Sequence, residues 1–231
     1  MRRSVSIVFI FLAVLGIGLP LAAQPAPLPL FPLPFQKPYT TASLWNDLMK
    51  GNTRYKGGRL PYTGIADARA ATADKQDPPV TVLSCSDSRV PPELIFGRTV
   101  GDLFVVRVAG NVADPFEIAS IEYAISKGWT KLIVVMGHQS CGAVEEALKN
   151  DDPPTPSLVS LVQRIRESFV GLPSWPATDR LERGIKANAR SSAAYLLAHS
   201  TVIHKAVLEK RVGLIVAYYK LKSGEVEVLQ Q

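Results

Sequence analysis

The chain has 231 residues, 47% of them hydrophobic and 20% charged, which suits one globular domain with a full apolar core. Its formal net charge is +6, carried by scattered Lys and Arg with no basic run interleaved with aromatics, and this argues against a nucleic-acid surface.

Met1-Arg2-Arg3 is a basic start, and residues 4–23 carry no charge and are rich in Ile, Val, Phe and Leu. Leu21-Ala22-Ala23 offers small residues for a signal peptidase, so residues 1–23 are expected to be a signal peptide, cut after Ala23. The mature chain is then exported, to a periplasm or beyond, and its charge falls by two with Arg2 and Arg3. An apolar run of about 20 residues is also long enough to span a bilayer if it stays uncleaved; Pro20 and the small-residue end favour cleavage. Residues 24–40 form a proline-rich N-terminal arm with Pro25, Pro27, Pro29, Pro32, Pro34 and Pro38, which forbid a helix and leave few donors for a sheet. Leu30, Phe31, Leu33 and Phe35 suit an arm packed on another surface as well as a free tether. Residues 41–231 are the expected folded domain.

Within that domain, Ser43 is placed to cap a helix in which Leu44 with Leu48, and Trp45 with Met49, share a face. Gly51-Asn52 is expected to interrupt it, and Gly57-Gly58 to end the region. Residues 67–73 read as a short helix. Residues 80–84, after Pro78-Pro79, read as a buried strand, residues 103–108 as a second, and Gly110-Asn111 as a turn. Asp114 caps the next helix, with Pro115 at its first position and Glu117 completing a capping box; it runs to about residue 127 and stops at Gly128. Residues 131–136 form a third strand, 142–149 a helix, 157–169 another, and 179–211 one long helical stretch. Strands at 213–221 and 226–229 flank a Ser223-Gly224 turn. Strands alternating with helices predict a single α/β domain with a mainly parallel sheet flanked by helices. No GxGxxG follows the first strand, so the dinucleotide fingerprint is missing.

The chain has two cysteines and three histidines, and three of these five fall at strand ends. Cys85 follows the first strand; His138 and Cys141 follow the third. Sites in such sheets lie beyond the carboxyl ends of the strands, so these side chains can meet. Thiolate and imidazole suit zinc, and a Cys2His set leaves a fourth position for water or a carboxylate, as in catalytic sites. Cys141 opens a helix, whose dipole favours the thiolate. In an exported protein two cysteines also suggest a disulfide; the His-x-x-Cys spacing and the nearby Asp87-x-Arg89 weigh against it. Asp87 and Arg89 point the same way if their loop is extended, so Arg89 can hold a carboxylate that ligates zinc or accepts a hydrogen bond from its water. The plainer reading has Asp87 capping a turn before Pro91-Pro92. His199 and His204 lie five apart, about 140° round a helix, and read as surface or packing residues.

Cys85-Ser86-Asp87-Ser88-Arg89 followed by His138-x-x-Cys141-Gly142 resembles the signature of the β-class carbonic anhydrases. The likeness extends to Val105-Val106-Arg107-Val108-Ala109-Gly110-Asn111, to Ser120-Ile121-Glu122-Tyr123-Ala124 and to residues 132–144, and covers roughly residues 43–229. It implies one Zn2+ per chain on Cys85, His138 and Cys141, Asp87 and Arg89 as the catalytic dyad, Asp87 as a conditional fourth ligand, and a homodimer or dimer-based tetramer. It implies reversible hydration of carbon dioxide to bicarbonate and a proton by zinc-bound hydroxide, with backbone N–H groups at Gly142 steadying the developing negative oxygens. The alternative on the same fold is hydrolysis of carbonyl sulfide or carbon disulfide. A non-enzymatic binding protein, with a disulfide or a closed structural zinc, is the reading from another class. No nucleic-acid partner is expected, and no membrane unless the leader stays uncleaved.

Overall fold

A computed structural model describes residues 35, 37–59, 64–174 and 176–230. The expected signal peptide and the arm up to residue 34 lie outside the described residues.

Five strands form one sheet in the order β2-β1-β3-β4-β5: β1 Val80–Ser84, β2 Leu103–Arg107, β3 Leu132–His138, β4 Gly213–Tyr219 and β5 Val226–Gln230. The first four are parallel and β5 runs antiparallel beside β4. β1 and β3 are buried at every position, as unbroken apolar runs should be when helices cover both faces. Their side chains alternate between two cores. Val80, Val82, Leu132, Val134 and Met136 pack beneath α1 (Thr41–Lys56) and the one-turn α3 (Pro92–Ile95). Leu83, Ile133 and Val135 pack beneath α4 (Pro115–Ser126), α7 (Arg180–His199) and α8 (Thr201–Leu208). α2 (Ile65–Ala71) buries no residue. At the carboxyl end of the sheet α5 (Gly142–Ala147) and α6 (Pro156–Arg166) close a third cluster around Cys85, Cys141, Ile165 and Ile185.

The expected α4 start is present: Asp114 and Glu117 make the capping box, Pro115 holds the first position, and Gly128 follows with φ 78°. Other expectations need correction. The α1 cap is Thr40, and Ser43 is its capping-box partner three residues on. Gly51-Asn52 does not interrupt α1. A Cβ at Gly51 would stand 1.6 Å from the Phe96 carbonyl oxygen, so glycine there allows close contact with the end of α3. Asn52 is buried and staples three segments: its Nδ2 donates to the Ile95 and Gly224 carbonyls at 3.1 and 2.8 Å, and its Oδ1 accepts from the Val226 N–H at 3.2 Å. The expected helix over 179–211 is two helices, broken at Ser200. There the backbone is extended (φ −129°, ψ 110°), and the hydroxyl accepts the Ile203 N–H while donating to Glu122 of α4.

From the arm, Phe35 is buried in the first core with its ring 3.7 Å from the Arg98 guanidinium, so this end of the arm is packed.

Gly51→Ala tests the close helix contact. Alanine gains about 1 kcal/mol of helix propensity over glycine, whereas forcing atoms into a filled core costs about 1–3 kcal/mol and more where backbone must move. The obstacle here is a backbone carbonyl, so a net loss of roughly 2 kcal/mol is expected as a lower urea midpoint. An unchanged midpoint would show that α1 and α3 separate freely.

Candidate metal centre and active site

Ser84, the last residue of β1, pairs with Met136, two residues before β3 ends at His138. Cys85 therefore leaves the sheet beside the end of β3. Ser140, with φ 56°, turns the chain so that Cys141 comes back toward His138 as α5 begins. The ligand atoms of Cys85, His138 and Cys141 lie within 4.8 Å of one another, and all three residues are buried. Cys85 and Cys141 are not joined in a disulfide, in line with the weight given to the His-x-x-Cys spacing.

The imidazole of His138 is 0% exposed. Its Nδ1 lies 2.9 Å from the Gln139 carbonyl, so that nitrogen carries the proton and donates. Nε2 then presents a lone pair, and it has no hydrogen-bond partner although fully buried. Such an orphaned acceptor costs about 1–3 kcal/mol, and a cation held jointly with the two sulfurs removes that cost. The donor set fits zinc.

The sulfurs are prepared for negative charge. The Cys85 sulfur accepts the Asp87 N–H at 3.4 Å and the Gly110 N–H at 3.3 Å. A hydrogen bond from Cys141 contributes most to pulling the Cys85 thiol down to about 4. That same contact, then burial, pushes the Cys141 thiol up, opposed by the N–H groups of Val144 and Ala143. Metal binding at such a pair would displace protons from sulfur, since thiolate and not thiol is the ligand.

Asp87 and Arg89 meet as expected. Arg89 Nη2 and Nε donate to Asp87 Oδ2 and Oδ1 at 2.7 and 2.9 Å, a two-point contact. The Arg89 backbone N–H also donates to Oδ1 at 2.9 Å, so Asp87 caps its turn while its side chain pairs with Arg89. The Arg89 side-chain hydrogen bond is the main cause that lowers the Asp87 carboxyl to about 2, and the carboxylate stays ionised at neutral pH. Oδ2 stands 3.9 Å from His138 Nε2, beside the ligand cluster. Gly142 is exposed, and nothing lies within 4 Å of where its Cβ would be, so the front of the site is open there. His199 stacks on Tyr195 and His204 contacts the Leu197 carbonyl; both are exposed and outside the cluster.

Arg107 is a residue that motif reading did not single out. It ends β2 and donates from Nε to the Cys85 carbonyl at 3.0 Å and from Nη2 to the Asp87 carbonyl at 2.7 Å, fastening the loop that carries both residues. Its position at the end of the neighbouring strand was the available signal. Gly110, read only as a turn, also touches the Cys85 sulfur through its N–H.

A family model described as carbonic anhydrase matches residues 80–226. Carbonic anhydrase 2 of Mycobacterium tuberculosis is 35% identical over 184 residues, covering 78% of this chain and 88% of the relative. Among solved structures, the β-carbonic anhydrase CafA of Aspergillus fumigatus aligns with a TM-score of 0.64 and 25% identity, over 81% of this chain and 89% of that one. A tetrameric β-carbonic anhydrase from Sordaria macrospora shares the fold, with a TM-score of 0.64 and 24% identity, over 80% of this chain and 96% of that one.

Cys141→Ser is expected to drop zinc from about one per chain to a small fraction after dialysis, read by atomic emission on folded protein, because a hydroxyl is a poor substitute for thiolate. A full zinc count would show that Cys141 is not a ligand.

Proposed function

The chain belongs to the β-carbonic anhydrase family, and on that premise we propose that it catalyses the reversible hydration of carbon dioxide to bicarbonate and a proton, with one zinc ion per chain held by Cys85, His138 and Cys141. The observation that carries this reading is the buried, unpartnered His138 Nε2 facing two thiols, with the Arg89-held carboxylate of Asp87 at its side. Zinc bound there supplies a Lewis acid that makes water a nucleophile near neutral pH.

The roles of the side chains follow from their charge and placement. Asp87, ionised, can only accept hydrogen bonds. It takes the proton-bearing side of the attacking water and so turns a lone pair toward carbon dioxide. Arg89 keeps the carboxylate in that orientation through both of its oxygens. The Gly142 N–H, at the open front of the site, meets the negative charge that grows on the substrate oxygens. Behind the sulfurs, Val112, Val144, Ile165 and Ile185 keep water out and strengthen each of these interactions. Were Asp87 to serve as a fourth ligand, Arg89 would compete for its carboxylate, so that pair would bias the site between open and closed.

We further propose export, supported by the basic start, the uncharged residues 4–23 and the small residues at 21–23. Among the described residues no helix is long and apolar enough to cross a membrane. The mature chain is then arm and catalytic domain, 24–40 and 41–231. A homodimer or dimer-based tetramer fits the fold shared with the tetrameric fungal enzyme.

Stopped-flow carbon dioxide hydration by the mature chain, with zinc counted in the same sample, tests the assignment. Turnover lost on chelation supports it; full zinc with no hydration, but with release of sulfide from carbonyl sulfide, overturns it in favour of the sulfur substrates. Asp87→Ala is expected to keep its zinc and lower kcat by about 10²–10⁴, the range for a positioned proton-handling group. An unimpaired variant would remove Asp87 from the mechanism.

A further inference from the structure

The buried face of α7 carries Ile185, Ala189, Ser192, Ala193 and Leu196, and among them stands Asn188, 2% exposed. A buried amide costs stability unless its hydrogen bonds are made. Asn188 Nδ2 donates to the carbonyl of Gly110 at 2.6 Å, joining residues 78 apart. Gly110 sits in the left-handed region at φ 69°, and a Cβ there would stand 2.7 Å from Ile165 Cδ1, so this position presents only backbone. The N–H of the same residue donates to the Cys85 sulfur at 3.3 Å. The carbonyl and N–H of one residue belong to different peptide groups. What Asn188 transmits to Cys85 is therefore orientation: it fixes one end of a residue whose other end points at a sulfur.

We propose that Asn188 is a positioning residue for the metal centre, which holds Gly110 so that its N–H stays on the Cys85 sulfur and thereby sets how tightly that sulfur grips the cation. This rests on the reading of Cys85 as a zinc ligand. The hydrogen bond to Cys85 stabilises the thiolate and aims its remaining lone pairs toward the cluster. Released from Asn188, Gly110 is free to rotate in a part of backbone space open to glycine. The Cys85 sulfur then keeps only the Asp87 N–H among these two backbone donors. Outer partners of metal ligands typically contribute 10- to 100-fold in metal affinity.

Asn188→Leu, which keeps the branched outline of the side chain, is bulkier and has no donor, is the test, with Leu196→Ala as a control on the same buried face away from Gly110 and the cluster. Zinc transfer from each folded protein to a chelator, and the thiolate-to-metal charge-transfer band of the cobalt-substituted protein, are measured beside thermal stability. Both variants are expected to lose stability, but only Asn188→Leu should release zinc about tenfold or more faster and shift the cobalt band. Asn188→Ser, smaller and still polar, is the milder substitution if leucine does not fold, and should move both readouts the same way by less. Metal release and spectrum unchanged in the Asn188 variants, or changed equally in Leu196→Ala, would overturn the proposal. If the wild-type chain takes up neither zinc nor cobalt, the ligand assignment itself has failed.

Discussion

Parallel pairing of β1 with β3, Ser84 opposite Met136, makes both strands leave the sheet at one edge, and the Cys-His-Cys cluster exists because they do. An antiparallel pair would send the loops after the two strands to opposite ends. A slip of one residue would turn the alternating side chains of β3 to the wrong cores. Both strands are buried along their whole length, so the register is set by two cores at once, and the ligand geometry inherits the rigidity of the sheet.

Gathering two sulfurs and a carboxylate in a buried space is costly, and much of the surrounding structure answers that cost. Cys85 receives two backbone N–H groups, Cys141 the first amides of α5, and Asp87 a two-point contact from Arg89. Arg107 adds a second guanidinium behind the loop and binds carbonyls where Arg89 binds a carboxylate. The two arginines divide the work. Arg107 holds the backbone of the Cys85–Asp87 loop in place, while Arg89, 55% exposed at its side chain, holds the Asp87 carboxylate. The Arg89 pair is partly solvated, so its contacts are weaker and more readily exchanged than buried ones.

Features that depend on local chemistry were legible from the chain. β1 follows two prolines and is wholly apolar but for small hydroxyls; the α4 start carries cap, proline and capping-box glutamate within four residues. The Cys85-His138-Cys141 cluster was legible because Cys and His are few here and these three fall at strand ends. Gly51-Asn52 misled because the same two letters that mark a turn also permit a close helix approach and a buried amide staple, and only the neighbouring chain decides between them. The break at Ser200 depends on Glu122, far away in sequence. Arg107 and Asn188 act through tertiary hydrogen bonds to backbone atoms, and backbone atoms leave no trace in a motif.

The two ends of the sheet carry different burdens. At the carboxyl end the chain accepts an orphaned imidazole nitrogen, left-handed backbone at Ser140 and Gly110, and confined sulfurs, all in the service of the site. At the amino end it is packed for stability. Thr41 fills the space beside Gly213 so closely that a Cβ there would meet its side chain. In the core that α1 covers, Phe35 lies under Arg98. Burial draws the Arg98 guanidinium down to about 10, and an aromatic face is one of the few neutral surfaces that attracts a cation in such surroundings. The last residues of the proline-rich arm therefore belong energetically to the catalytic domain. They complete the core that α1 covers on one face of the sheet, and a well-packed core there lets the carboxyl end keep groups that packing alone would reject.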